Sequence, residues 1–410
     1  MTSNQTQHAP VFSQKEPVVN LALEVGVATL FRLVLSTARR FAYPFAPVLS
    51  RGLGVPLTAG TALIAANQAT AVVGLFFGPV SDRFGYRVMM LAGLGMLSAG
   101  MLAAGFFPFY VVVLVGLFLG GLGKSVFDPA LQAYVSERVP YHRRGLVIGL
   151  LEVSWAGSAL LGIPLVALLI DKLGWRSPFW VLGGLGLLGI VVLRLLIADK
   201  NHSRVRQPQT GGLGKSWLRL VQERAALGAL GYAFLVSMAN DNLFVIYGAW
   251  LEKRFSLSIM ALGLGASVIG FAELSGETLT AVLADRIGLK RSVLAGISAC
   301  VICYALLPLL AQTLSLALVG LFIVFLTFEF MIVASTSLFT ELLPASRATM
   351  MAGYFAAAGI GRVAGALIGG PIWLAGGIQA TALVSAAING LALVCLIWGL
   401  RGWRRFCEDA

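Results

Sequence analysis

The residues here whose types could do chemistry are ionisable side chains set inside long apolar runs. They are Arg32, Arg39, Arg40, Lys124, Asp128, Glu152, Asp241, Glu273, Glu277, Glu329 and Arg362. A charge inside a bilayer costs on the order of several kcal/mol unless it is paired or hydrated, so such residues mark solute sites, proton sites or structural pairs. Lys124 and Asp128 are spaced i, i+4 and share a helix face, which suits either a self-neutralising ion pair or a substrate or proton site. Glu273 and Glu277 have the same spacing but like charge, the condition under which one carboxylate takes up a proton. One acid among Asp128, Asp241, Glu273, Glu277 and Glu329 is the expected proton or cation site; the competing reading is structural pairing with Arg32, Arg39, Arg40 or Arg362. His8, His142 and His202 all fall outside the apolar runs, so carboxylates must do any proton work.

The elements that position these residues follow from hydropathy. Of 410 residues 58% are hydrophobic and 12% charged, far from the usual soluble composition. A hydrocarbon core of about 30 Å needs about 20 apolar residues in a helix. Runs of that length are expected at 21–48, 58–77, 88–106, 109–135, 146–170 and 178–198, then at 226–250, 258–283, 291–311, 314–343, 349–374 and 378–400. Period-2 alternation is absent, which argues against a membrane barrel. The fold class expected is an all-α membrane protein of twelve transmembrane helices. Residues 1–20 form an N-terminal tail, 21–198 and 226–400 two six-helix halves, 199–225 a basic linker, and 401–410 a second tail. The polar start and the charged first run give no removable signal peptide.

The net charge of +12 is placed asymmetrically. With loops assigned alternately to two sides, nineteen of the 30 Lys and Arg fall on the side of the termini, five on the opposite side and six within spans. Both termini are therefore expected in the cytoplasm, with the chain a multi-pass protein of the cell membrane. The basic loops hold topology and touch lipid, and nucleic acid is not an expected partner. Cys300 and Cys303 form a C-x-x-C inside a span and read as packing thiols. Gly123-Lys124-Ser125 and Gly214-Lys215-Ser216 lack the earlier glycine of a phosphate loop, so no nucleotide site is expected. No cofactor, metal site or catalytic residue is expected either.

The two halves repeat. Asp82-Arg83-Phe84-Gly85 recurs as Asp285-Arg286-Ile287-Gly288, shifted by 203 (285 minus 82), and Val115-Gly116-Leu117-Phe118 recurs as Val319-Gly320-Leu321-Phe322. An even number of helices per repeat gives both halves one orientation about an axis along the membrane normal. The run Gly78-Pro79-Val80-Ser81-Asp82-Arg83-Phe84-Gly85-Tyr86-Arg87 resembles the signature loop after helix 2 of the major facilitator superfamily. Arg143-Arg144-Gly145 and Trp175-Arg176 also resemble that superfamily, nearest its efflux-type drug and sugar branches. Gly157, Gly162 and Pro164 are similar to its antiporter signature, with Ile163 intervening between a Gly and Pro that the pattern sets side by side. Gly116 stands where drug-exporting members usually carry an Arg.

The resemblance implies a secondary active transporter that moves a small molecule by alternating access, with proton-coupled efflux as the expected mode. Facilitative or symport-type uptake, a polytopic membrane enzyme and a non-transporting sensor are the alternatives. It implies a cytoplasmic gating motif made of Gly78, Asp82, Arg83, Gly85, Arg87, Asp285, Arg286 and Gly288, in which glycines permit tight turns and Asp82 makes a charge-assisted contact. It also implies that helices 1, 4, 7 and 10 line the cavity, and that the chain works as a monomer. Tyr43, Phe127, Trp155, Tyr232, Phe244 and Tyr247 are the expected aromatic lining, which suits an amphipathic or anionic molecule. Subtracting 203 from 241 gives 38, beside Arg39 and Arg40. On that basis Asp241 is expected to pair with one of those arginines as an outer gate.

Overall fold

A computed structural model describes residues 18–74, 84–138, 151, 153–197, 220, 222–343 and 347–403 of the chain. With no water in a bilayer core, a spanning backbone must satisfy its own N–H and C=O groups, and these residues do so as helices. The first set is α1 (Val18–Arg40), α2 (Ala46–Leu53), α3 (Leu57–Gly74), α4 (Tyr86–Phe106), α5 (Tyr110–Arg138), α6 (Ile163–Leu173) and α7 (Ser177–Leu196). The second is α8 (Arg224–Phe244), α9 (Tyr247–Phe255), α10 (Ile259–Ile287), α11 (Leu289–Leu310), α12 (Leu314–Phe339) and α13 (Arg347–Leu400).

Ten of the described helices are long and apolar enough to cross a membrane, and α2 with α3, bent by 115°, makes an eleventh. Helix α13 has 54 residues. At about 1.5 Å per residue it would measure roughly 80 Å if straight, far more than a bilayer core. Gly376 (φ −153°, ψ 17°) and Gly377 (φ 60°, ψ −153°) break it into two limbs. The division adds a crossing to the eleven, in line with the twelve expected from hydropathy. The basic linker expected at 199–225 lies outside the described residues except at 220 and 222–225.

Two spans are broken at matching places. Helix α1 ends at Arg40 and restarts at Ala46 after a turn containing Pro44, with Pro47 in the first turn of α2, where a missing N–H costs nothing. Helix α8 ends at Phe244 and restarts at Tyr247. Adding 203 to 41 gives 244, so the breaks are repeat equivalents. They put Tyr43 and Phe244 against each other, rings stacked 4.1 Å apart.

A π-helical turn, Ser158–Gly162, precedes α6. Pro164 follows in the first turn of α6, and its ring cannot sit over the carbonyl four residues back in a regular helix; the wider π turn absorbs that misfit. Gly162 lies against the Thr37 side chain and has no room for a Cβ.

Among the described helices the halves pack on each other in three places, besides the side-chain contacts around Arg40 and Tyr43. Helix α10 packs on α6 and the π turn, with Gly270 against Ala159 and Leu160. The first limb of α13 packs on α3, with Gly370 against Thr58 and Thr61. Helix α9 meets α2, where Gly248 lies on the Pro44 carbonyl and Arg51 makes a two-pronged ion pair with Glu252 at 3.0 and 2.7 Å. The α2–α9 contacts lie at the end of the bundle opposite the start of α1.

Candidate functional site

The charged residues singled out from the sequence collect in the middle of the bundle, on α1, α5, α8, α10, α12 and α13. In the first half, Lys124 on α5 donates to Asp128 at 2.6 Å, and Arg32 on α1 donates from Nε to the same carboxylate at 3.2 Å. Arg32 also donates to the Leu151 carbonyl and, at 3.2 Å, to Ser154. Pro129 beside Asp128 breaks the regular bonding of α5 at this level. Arg39 donates to the neutral amide of Gln68 at 3.0 Å and has no acid at ion-pair distance among the described residues. Glu152 lies outside the described residues.

Arg40 crosses to the other half. Its two Nη groups donate to the two oxygens of Glu273 on α10, both at 2.8 Å, a fork-to-fork pair with side chains only 3% and 7% exposed. The Arg40 guanidinium also lies 4.4 Å from the ring centre of Trp155 and 5.8 Å from that of Phe244. Lys124 lies 5.5 Å from the same Trp155 ring. Trp155, half-buried, thus has both cations close to its π-system.

The expected pairing of Asp241 with Arg39 or Arg40 does not form. Asp241 accepts instead from the Tyr43 hydroxyl at 2.6 Å, also across the halves, and lies within electrostatic range of Arg39 and Arg362 without touching either. Equal depth along two helices does not fix their rotation, and Glu273 presents its carboxylate to Arg40 in a better geometry. Glu329 on α12 sits in the field of Glu273, Glu277, Arg40 and Arg362, with Gly276 of α10 packed on its Cβ. Glu329 and Arg362 are half-buried and make no ion pair among the described residues. Glu277 is half-buried one turn from Glu273.

The aromatic lining divides. Tyr43, Trp155, Phe244 and Tyr247 gather around Arg40, with Phe244 stacked on Tyr247 at 5.5 Å. Phe127 and Tyr232 are fully buried packing residues away from this cluster, Tyr232 edge-on to Phe339. Gly116, at the position where drug-exporting members usually carry an Arg, lies against the backbone of Gly100; α4 and α5 touch there and leave no room for a side chain. Gly361, Gly365 and Gly369 likewise seat α13 on the backbone of α8. Among the described residues no three His, Cys, Asp or Glu side chains gather as a metal site.

Of the loop motif, Gly78, Asp82 and Arg83 lie outside the described residues, as does the Asp285 side chain. Gly85 and Gly288 have φ of 86° and 91°, a left-handed backbone that favours glycine, at the start of α4 and α11. Arg87 donates to the Arg194 carbonyl at 2.7 Å, and Lys290, its equivalent after adding 203, donates to the Leu400 carbonyl at 3.2 Å. Each cation ties the helix after the loop to the last carbonyls of its own half. Arg286 is exposed. Sequence reasoning missed Gln68, the side chain to which Arg39 donates, although a glutamine beside Asn67 within an apolar helix was the available signal. It also missed the pair formed by Arg51 and Glu252, although 252 minus 203 is 49, two residues from Arg51.

A helical membrane protein of two repeated halves that meet around buried charges is the architecture of a transporter. The chain belongs to the Major Facilitator Superfamily, whose model matches residues 28–231 and again 229–405. An uncharacterised transporter of that type from Bacillus subtilis (strain 168), YwfA, is 26% identical over 421 residues, 100% of this chain and 98% of its own. The multidrug resistance protein MdtG of Serratia proteamaculans (strain 568) is 27% identical over 288 residues, covering 67% of this chain and 68% of its own. Among solved structures, a bacterial homologue of the human lysosomal transporter Spinster, inward-facing and unoccupied, superposes with a TM-score of 0.74 at 15% identity over 94% of this chain and 98% of that one.

Proposed function

We propose that the chain is a proton-coupled exporter of a small organic molecule, working by alternating access, with Glu273 as its proton carrier. The observation that carries this reading is the buried Arg40–Glu273 pair, which joins the two halves. The halves cannot part at the face opposite the termini without breaking it, and breaking a buried pair by loss of one partner costs about 3–5 kcal/mol. A proton on Glu273 removes one of the two charges that would otherwise be stranded, so proton binding and opening of that face favour each other. Export is supported by relatives named as multidrug resistance proteins. On this reading both termini and the 199–225 linker face the cytoplasm, and residues 21–198 and 226–400 are the moving halves of a single working chain in the cell membrane. Asp82 and Arg83 with their repeat partners Asp285 and Arg286 form the cytoplasmic gate.

Purified protein in vesicles loaded with a pH-sensitive dye tests the proposal. Addition of a transported compound from a panel of organic cations, anions and zwitterions releases protons against the direction of the compound's movement. Glu273→Gln removes proton movement while leaving the protein inserted. A compound that moves at full rate with no proton movement contradicts the coupling; proton movement in the same direction as the compound contradicts export by exchange.

A further inference from the structure

The charges in the middle of the bundle are sorted by half. Among the described residues the first half supplies Arg32, Arg39, Arg40 and Lys124 against Asp128, and the second supplies Asp241, Glu273, Glu277 and Glu329 against Arg362; Glu152 lies outside the described residues. Contacts between groups do not erase the sorting. Arg39, nine-tenths buried, has only a neutral amide as its named partner. Opposite it, Asp241 holds a phenol rather than a cation, and Glu329 has no cation at ion-pair distance among the described residues. The Arg40–Glu273 ion pair joins the cationic wall to the acidic one across the halves.

From this we infer that the substrate is dipolar: a small molecule with an apolar or aromatic body that carries one anionic group, seated on Arg39 and Arg40, and one cationic group, seated on Glu273 and Glu329. Such a molecule replaces the Arg40–Glu273 pair with its own two charges, so the halves close around it without stranding an ion. A purely cationic molecule leaves Arg40 unpaired when it takes Glu273, and a purely anionic one leaves Glu273 unpaired when it takes Arg40. The aromatic groups fit the same assignment. Trp155 already has the cations Arg40 and Lys124 at its ring, whereas Phe244 and Tyr247 line the neighbouring gap between the halves with Arg40. This inference rests on the transporter reading above and adds the substrate class. The cationic group competes with the proton for the acidic wall, which is what exchange requires.

The test uses probes of one body: phenethylamine as cation, 3-phenylpropionate as anion, and phenylalanine and 4-(aminomethyl)phenylpropionate as zwitterions with short and long charge separation. Binding to the purified full-length protein is measured by calorimetry at pH 7.5, without any gradient. One zwitterion is expected to bind at least about tenfold more tightly than either single-charge probe, the worth of one added charge-assisted contact. Arg39→Gln should reduce that zwitterion to the level of the amine and leave the amine unchanged. Glu329→Gln should reduce it to the level of the acid. The two variants lie on opposite halves, so if one fails to fold the other still decides. A single-charge probe that matches both zwitterions, a folded variant without effect, or no binding by any probe at millimolar concentration overturns the proposal. Preference for the amine together with proton release would leave proton exchange standing and remove only the dipolar substrate. Preference for a zwitterion with no proton movement in vesicles would do the reverse.

Discussion

Arg40 and Glu273 form a pair whose value depends on both members. Glu273→Gln keeps the shape and one of the two contacts, since its amide nitrogen cannot accept from the guanidinium, so it is expected to leave the protein inserted and to abolish proton-coupled transport. Glu273→Leu strands the guanidinium and is expected to destabilise the closed state by about 3–5 kcal/mol, read as a drop in thermal stability in detergent. The double variant Arg40→Met with Glu273→Leu should regain that stability without regaining transport, because a well-packed apolar pair replaces a buried ion pair at little cost. Tyr43→Phe removes the hydroxyl that Asp241 accepts from, with an expected loss of about 1–3 kcal/mol; a charge swap between Asp241 and Arg39 is expected to rescue nothing, since these two do not touch. Every one of these charged residues was legible in the sequence, because an ionisable group inside an apolar run is conspicuous. Their partners were legible only where spacing within one helix fixes them, as for Lys124 and Asp128. Arg40 finds Glu273 over 233 positions, and the repeat offset, which reports depth and not rotation, pointed to Asp241 instead.

The broken helices supply the geometry that the pairs need. Because α1 and α8 both break near the same level, their outer pieces α2 and α9 can lean together, and Gly248 on Pro44 is where they touch. A methyl group at residue 248 would overlap the Pro44 carbonyl, which is backbone and cannot move aside. Gly248→Ala is therefore expected to favour the state open at that face, seen as faster labelling of a cysteine placed at Ser50, a buried position on α2, than in the protein with glycine. If labelling is unchanged, α2 and α9 do not form the closure. Hydropathy made the helices readable, and Pro44 and Pro47 mark the first break, but the second, at Val245-Ile246, interrupts an apolar run with neither a proline nor a polar residue. The π turn was equally hidden; Gly162 and Pro164 marked the site through a family pattern, and its physical cause, the Pro164 ring against the preceding turn, is visible only in the structure, where Thr37 also packs on Gly162.

At the scale of the whole molecule the twelve-span, two-repeat plan was the most legible feature, since bilayer thickness fixes helix length and the 203-residue offset fixes orientation. The charge asymmetry leads to the expectation that the linker faces the cytoplasm, so a cysteine at Ser203 is expected to resist an impermeant reagent in intact cells and to react after permeabilisation. Asp82→Asn is expected to lower transport at least tenfold with normal insertion if Asp82 serves the cytoplasmic gate proposed above, because the substitution removes its charge. The central claim is that the Arg40–Glu273 pair holds the face opposite the termini closed until a proton releases it. The most direct measurement is the distance between spin labels at Val55 and Leu257, beyond the outer ends of α2 and α9, recorded over a range of pH. The account predicts a short distance at high pH, a growing long-distance population as pH falls, and the long distance at every pH in Glu273→Gln. A distance that ignores pH in the native protein, or a Glu273→Gln variant that stays closed as the native protein does at high pH, would contradict it.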